Sequence, residues 1–175
     1  MLTEAVSDRA ATKVNDRRLA LLWLAMAGAV VLHNVEEWLL DMTGWIAAHP
    51  WLPGRAWHGD REEFAVVLAI VTAAVLAIAA AAVAIRPGWS AEVLACVAYA
   101  LMVNGASHVV LSLLSWSPMP GVFSGIVVLA PLGALVVHLL PPVRWTVATI
   151  AMTVIAAVGI TAGAFALASV LTSVG

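Results

Sequence analysis

Three ionisable residues, His33, Glu36 and Glu37, lie in a stretch of sequence that is otherwise apolar and long enough to cross a lipid bilayer. Residues three and four positions apart share one face of a helix, so both carboxylates can reach the space beside the imidazole of His33. An acidic side chain at the centre of a bilayer costs about 2.5–3.5 kcal/mol on insertion scales. The cluster therefore predicts a site in which these groups are paired or perform chemistry.

A second polar stripe occurs in a later apolar segment. Asn104, His108 and Ser112 are spaced by four residues, which aligns an amide, an imidazole and a hydroxyl on one side of a helix. His33 and His108 lie 14 and 16 residues from the predicted starts of their helices, or about 21 and 24 Å at 1.5 Å per residue. The two helices run in the same direction, so we expect both imidazoles at one level. His138 lies on a helix of opposite direction and is expected outside this cluster.

The residues that we predict to be catalytic all carry titratable side chains: His33, Glu36, Glu37 and His108. Two imidazoles and one carboxylate form a set that binds zinc or non-haem iron and leaves positions open for a substrate. We predict His33, Glu37 and His108 as these metal ligands, with Glu36 as the acid or base. Asn104 and Ser112 would orient the cluster or the substrate.

A metal-free alternative uses the same groups, because two buried carboxylates that share a proton provide one acid and one base.

The composition of the chain predicts what kind of fold must position these residues. Of the 175 residues, 63% are hydrophobic and 10% are charged. This balance is typical of a membrane protein, and we predict an all-α, polytopic membrane helix bundle. Five apolar stretches meet or approach the length of a span: Leu19–Leu40, Phe64–Ile85, Glu92–Trp116, Val122–Leu140 and Thr146–Val170.

The remaining segments divide into an arm and connections. Residues 1–18 form a polar N-terminal arm, and residues 19–175 form a single transmembrane domain with a tryptophan-rich interfacial loop at 41–63. Asp60 and Glu63 are predicted to cap the second span. Gly159 and Gly163 in the fifth span form a small-xxx-small pair suited to close helix packing.

Charge predicts the orientation and excludes one class of partner. Six Lys and Arg residues fall on one side of the five-span arrangement and two on the other. This asymmetry predicts a multi-pass protein of the cell membrane with a cytoplasmic N-terminus and a non-cytoplasmic C-terminus. The net charge of -2 and the absence of a basic patch exclude nucleic acid as a partner. Membrane lipids are the expected surroundings, and a homo-oligomer is compatible with this composition.

Three hypotheses about function follow. The first is a membrane-embedded enzyme that acts on a lipophilic small molecule by hydrolysis, oxygenation, or isomerisation or cyclisation. The second is a proton-coupled transporter or channel subunit, because intramembrane carboxylates and histidines also carry protons. The third is a non-catalytic membrane scaffold in which the polar groups only join helices.

The segment His33-Asn34-Val35-Glu36-Glu37 resembles the motif of the HXXEE-domain family, which comprises small bacterial integral membrane proteins of largely uncharacterised role. That family also has a histidine in a later membrane helix, which His108 resembles, followed by a Tyr-X-Pro-Gly motif. Met119-Pro120-Gly121 resembles the end of that motif, whereas Pro118 stands at the tyrosine position. The resemblance covers roughly residues 19–140, and it implies an enzyme without naming a substrate.

Overall fold

The computed structural model describes residues 16–52, 60–142 and 146–174, which form helices and no β-strand. In chain order the helices are α1 (Asp16–Leu39), α2 (Met42–Ala48), α3 (Arg61–Ile85), α4 (Ser90–Ser115), α5 (Val122–Leu139) and α6 (Val147–Val174). By length and composition, α1, α3, α4 and α5 can each cross a membrane. Helix α6 has 28 residues and corresponds to the fifth predicted span. The predicted all-α, multi-pass membrane bundle is confirmed.

Several helices begin before the apolar stretches that predicted them. Helix α1 starts at Asp16 rather than Leu19, and α3 starts at Arg61 rather than Phe64. For α3 the cause is the predicted cap, because the Asp60 carboxylate accepts hydrogen bonds from the backbone N–H groups of Glu62 and Glu63, both at 2.9 Å. Polar first turns therefore extend the helices beyond their apolar parts, and the last three residues of the predicted N-terminal arm are helical.

The segment predicted as an interfacial loop contains the short helix α2. Asp41 caps this helix from a left-handed conformation with φ of 55°. Hydrogen bonds from the Gly44 N–H and the Thr43 hydroxyl lower the pKa of the Asp41 carboxyl from its ordinary value.

The apolar side of α2 packs against the bundle through Met42 and Ile46, which meet Phe64 and Met119. The Trp45 indole N–H donates to the Ser117 hydroxyl at 3.1 Å. Helix α2 thus covers one end of the bundle. His58 and the rest of residues 53–59 lie outside the described residues.

Helix α1 runs along the centre of the bundle, packed mainly on α3 and also touching α4 and α5. Its buried Trp23 lies in an apolar core with Leu94 of α4 and Val136 of α5. The Trp23 indole N–H donates to the buried Ser90 hydroxyl at 2.8 Å. Since a buried indole N–H needs a partner, this bond fixes the register of α1 against the start of α4.

Glycines set the distance between α4 and α5. A Cβ on Gly105 would lie 3.1 Å from the Cα of Gly125, and one on Gly133 would lie 3.1 Å from the Ala98 carbonyl oxygen. The two backbones therefore approach as only glycine allows. This approach brings the next turn of α4 against the beginning of α5, where the polar groups described below meet.

The prediction that Gly159 and Gly163 mediate close packing is wrong within this chain, because a Cβ at either position would have no described atom within 4 Å. Instead Ala164 and Ala168, also four residues apart, pack against Val67 of α3. The small residues that the fold uses thus lie on another face of α6.

Helix α5 contains a π-helical turn at Gly125–Leu129, in which the Ala130 N–H donates to the Gly125 carbonyl. Pro131 follows at once. Proline has no N–H to donate, and its ring crowds the preceding turn, so a widened turn is an expected accommodation. The π turn separates the first residues of α5, which belong to the polar cluster, from the regular helix that packs against α4.

Candidate metal centre

The three residues predicted as metal ligands meet at one point. Oε1 of Glu37 lies 3.4 Å from Nε2 of His33 and 3.3 Å from Nε2 of His108. One ligand atom from each residue lies within 4.8 Å of the others, and all three residues are buried. The imidazole rings are 4.9 Å apart between centroids and nearly perpendicular. The three side chains therefore lie together, as their spacing and depth in the sequence predicted.

The hydrogen bonds of His108 decide which of its nitrogens carries a proton. Nδ1 lies 2.6 Å from the carbonyl oxygen of Pro120, which can only accept. Nδ1 therefore donates, and in the neutral ring Nε2 presents a lone pair toward Glu37. A backbone carbonyl that fixes the tautomer and orientation of a histidine is the usual support of a metal-binding imidazole.

Side chains of α4 and α5 likewise fix the orientation of the His33 ring. The amide Nδ2 of Asn104 lies 2.8 Å from Nε2 of His33, and the Ser124 hydroxyl lies 2.8 Å from Nδ1. The Ser124 hydroxyl in turn donates to the Gly121 carbonyl at 3.3 Å. With Asn104 as donor, its N–H occupies the lone pair of Nε2 and the ring donates from Nδ1 to Ser124, so Nε2 of His33 also carries no proton.

Three electron-rich atoms thus converge: two imidazole nitrogens and one carboxylate oxygen. If the imidazoles are neutral and Glu37 is ionised, no proton lies between these atoms, and their lone pairs repel one another. A positive charge at this point relieves the repulsion, and it can be a shared proton or a metal ion. The arrangement can therefore hold a cation or transfer a proton.

Glu36 has no hydrogen bond to either imidazole among the described contacts and binds the start of α5. Its Oε1 accepts hydrogen bonds from the N–H groups of Gly121 and Phe123 at 3.0 and 3.1 Å, and its Oε2 accepts from Ser124 at 2.7 Å. A helix leaves its first N–H groups without partners inside the helix, and its N-terminus attracts negative charge. A carboxylate of α1 therefore caps α5 from another part of the chain, and the adjacent residues Glu36 and Glu37 have different partners.

Gly121 permits this arrangement. Its φ is 91°, and a Cβ there would lie 2.7 Å from Nδ1 and Cε1 of His108 and 2.8 Å from Cε1 of His33. Both the left-handed backbone and the two rings require a residue without a side chain. The Pro120-Gly121 pair thus provides an acceptor for one histidine and room for both.

The other residues of the motifs support neighbouring contacts. Ser112 donates to the His108 carbonyl at 2.7 Å and accepts from the Met119 N–H at 2.8 Å, so it holds the turn that carries Pro120. Asn34, inside the HXXEE motif, donates to the Thr72 hydroxyl at 2.7 Å and joins α1 to α3.

Sequence reasoning missed Ser124 and the cap formed by Glu36. The only signal for Ser124 was a single hydroxyl in an apolar run.

His138, His49 and one cavity lie apart from the cluster. His138 is exposed in the last turn of α5, at the opposite end of that helix, as predicted. Nδ1 of His49 donates to the Trp45 carbonyl at 2.7 Å, in the segment that follows α2. A cavity of about 270 Å³ lies at the far end of the bundle, beside the Asp16–Arg86 ion pair.

Comparison with known proteins identifies the family. No curated protein and no solved structure matches this chain. The family model described as "Protein of unknown function with HXXEE motif" matches residues 23–136, which is more than half of the chain. The matched region contains every residue that builds the cluster, from His33 to Ser124. The resemblance read from the motif is confirmed, and the chain belongs to the HXXEE family.

Proposed function

We propose that this protein is a membrane-embedded enzyme that acts on a lipophilic small molecule and holds a zinc or iron ion through His33, Glu37 and His108. The observation that carries the proposal is the convergence of two Nε2 atoms and one carboxylate oxygen, with both Nδ1 atoms bonded to fixed protein groups. Ligand atoms about 2.0–2.1 Å from one ion are separated by roughly 2.8 Å when they stand at right angles and by roughly 3.3 Å at tetrahedral angles. The separations of 3.4 and 3.3 Å from Glu37 lie near the upper value, which a single ion can span.

The surroundings of the cluster support a lipophilic substrate. The outer side of α1 next to the cluster is apolar and exposed at Leu32 and Val35, and that of α5 is exposed at Phe123 and Ile126. In a membrane these surfaces face lipid, so a molecule dissolved in the bilayer has the shortest path to the site. If the N-terminus is cytoplasmic, as the basic residues favour, the cluster lies in the non-cytoplasmic half of the membrane.

A metal ion with an open position supplies an activated water or polarises a bound oxygen. The protein supplies the rest: three ligands, an orienting group on each imidazole, and a buried location. Glu36 acts here as a positioning residue, because three backbone N–H groups already engage its oxygens.

Metal content tests the first half of the proposal. Purified protein in detergent, supplied with zinc or iron(II), should hold about one ion per chain, measured by elemental mass spectrometry. His33→Ala, His108→Ala and Glu37→Gln should each lose most of it. His138→Ala removes an exposed imidazole of α5 and should keep it. Wild-type protein that remains metal-free, or His108→Ala with full metal content, would refute the metal centre.

Chemistry on lipids tests the second half. We expect purified protein incubated with a bacterial lipid extract to change at least one lipophilic compound, detected by liquid chromatography and mass spectrometry. Hydrolysis adds the elements of water, oxygenation adds oxygen, and isomerisation or cyclisation changes the retention time without changing the mass. The change should disappear with His108→Ala. A metal-loaded protein that alters nothing in lipid extracts would leave the ion without an enzymatic role.

A further inference from the structure

Asn104 lies next to the cluster, and its hydrogen bond involves the His33 nitrogen that the proposed ion would take. It lies on α4, one turn before His108, and its amide end is 2.8 Å from Nε2 of His33. That nitrogen is the same atom that a metal ion would take. Because Nδ1 of His33 donates to Ser124, Nε2 has a single lone pair, which cannot serve the Asn104 N–H and an ion together.

The two ends of a side-chain amide have nearly the same shape, and a half-turn about the Cβ–Cγ bond exchanges them. After that rotation Oδ1 stands where Nδ2 stood, 2.8 Å from Nε2 of His33. Two ligands at right angles around an ion, each about 2.0–2.1 Å from it, are separated by roughly 2.8–3.0 Å. The position thus suits a neighbouring ligand oxygen.

We propose that the amide oxygen of Asn104 is a fourth protein ligand to the ion held by His33, Glu37 and His108. This inference rests on the metal centre proposed above. The ligand set then contains two imidazole nitrogens, one carboxylate oxygen and one neutral amide oxygen. An ion with a coordination number of five or six keeps at least one position for a substrate. A neutral fourth ligand also leaves a net positive charge at the ion, which favours an electron-rich group of the substrate.

Cobalt(II) is a suitable probe, because its visible absorption is strong in four-coordinate sites and weak in five- or six-coordinate sites. The experiment uses the full chain in detergent, loaded with cobalt(II) alone. We expect the wild type to show the weak spectrum. Asn104→Leu, which keeps the volume without an oxygen, should bind the ion at least tenfold more weakly and give the stronger four-coordinate spectrum. Asn104→Asp keeps an oxygen and should retain the wild-type spectrum and bind at least as tightly.

Ser107→Ala is the matched control, because Ser107 is exposed on the same helix and its hydroxyl donates only within its own turn, to the Asn104 carbonyl. It should change neither the spectrum nor the affinity. If Asn104→Leu binds cobalt(II) with the spectrum and affinity of the wild type, Asn104 is not a ligand, while the three-residue metal centre stands. If the wild type binds no cobalt(II), zinc or iron(II), both proposals are overturned.

Discussion

Two contacts between long helices in this molecule are built differently. Where α3 meets α6, Val67 packs against Ala164 and Ala168 in an apolar cluster. Where α4 meets α5, glycines bring the backbones together, and a buried polar cluster lies at one end. Apolar packing suffices to hold helices side by side. The difference raises the question of whether the polar groups between α1, α4 and α5 serve only to join these helices, and each of the following substitutions tests that point.

The largest effect is expected from Gly121→Ala. A Cβ there would collide with both imidazoles and would force a side chain into a left-handed backbone. We expect a loss of stability of about 2–4 kcal/mol and at least about tenfold weaker metal binding, measured by thermal unfolding in detergent and by metal titration. Gly163→Ala, at a position with open space, should keep both values. Wild-type melting and metal content in Gly121→Ala would contradict the described geometry.

Glu36→Gln separates positioning from acid–base chemistry. The amide would retain one acceptor but set its NH₂ group against a backbone N–H of α5. We expect a loss of about 1–3 kcal/mol in stability, as for hydrogen bonds to a charged group, while the ion stays bound. The control is Glu62→Gln, at an exposed glutamate in the first turn of α3. If Glu36→Gln unfolds like the wild type but loses activity, Glu36 is the acid or base.

The smallest effect on the ion is expected from Ala168→Leu. Ala168 is fully buried against α3, so extra methyl groups should cost about 1–3 kcal/mol by overpacking. Metal content should not change, because this contact lies outside the cluster. Ala166→Leu, at an exposed position of the same helix, serves as the control for unfolding. A loss of metal in Ala168→Leu would show that the two helix contacts are coupled.

The sequence predicted that His33, Glu37 and His108 lie together because their arrangement depends on rules that act within one helix. His33 and Glu37 are four residues apart, and the depth of His108 follows from counting residues along a parallel helix. Neither the spacing of His33 and Glu37 nor the depth of His108 depends on how the helices pack against one another. The same holds for the cap at Asp60, which acts on the N–H groups of its own helix.

Other features depended on contacts between distant parts of the chain. The role of Glu36 is set by where α5 begins, which is fixed by Gly121 rather than by any pattern in α1. Ser124 has no polar neighbour at helical spacing, so nothing in the sequence connected it with His33. Glycine pairs mark close packing only where a partner helix is present, and α6 presents Gly159 and Gly163 away from its partner.

The cap that Glu36 places on α5 also has a consequence for how the chain is made. The carboxylate and the Ser124 N–H that it binds are 88 residues apart. At a synthesis rate of about 5–20 residues per second, the ribosome needs roughly 4–18 s to produce the second after the first. During that interval α1 enters the membrane while Glu36 still lacks the N–H groups of α5. Because Glu36 lies in the last turn of α1, its carboxylate needs water or another donor as a temporary partner until the later helix arrives.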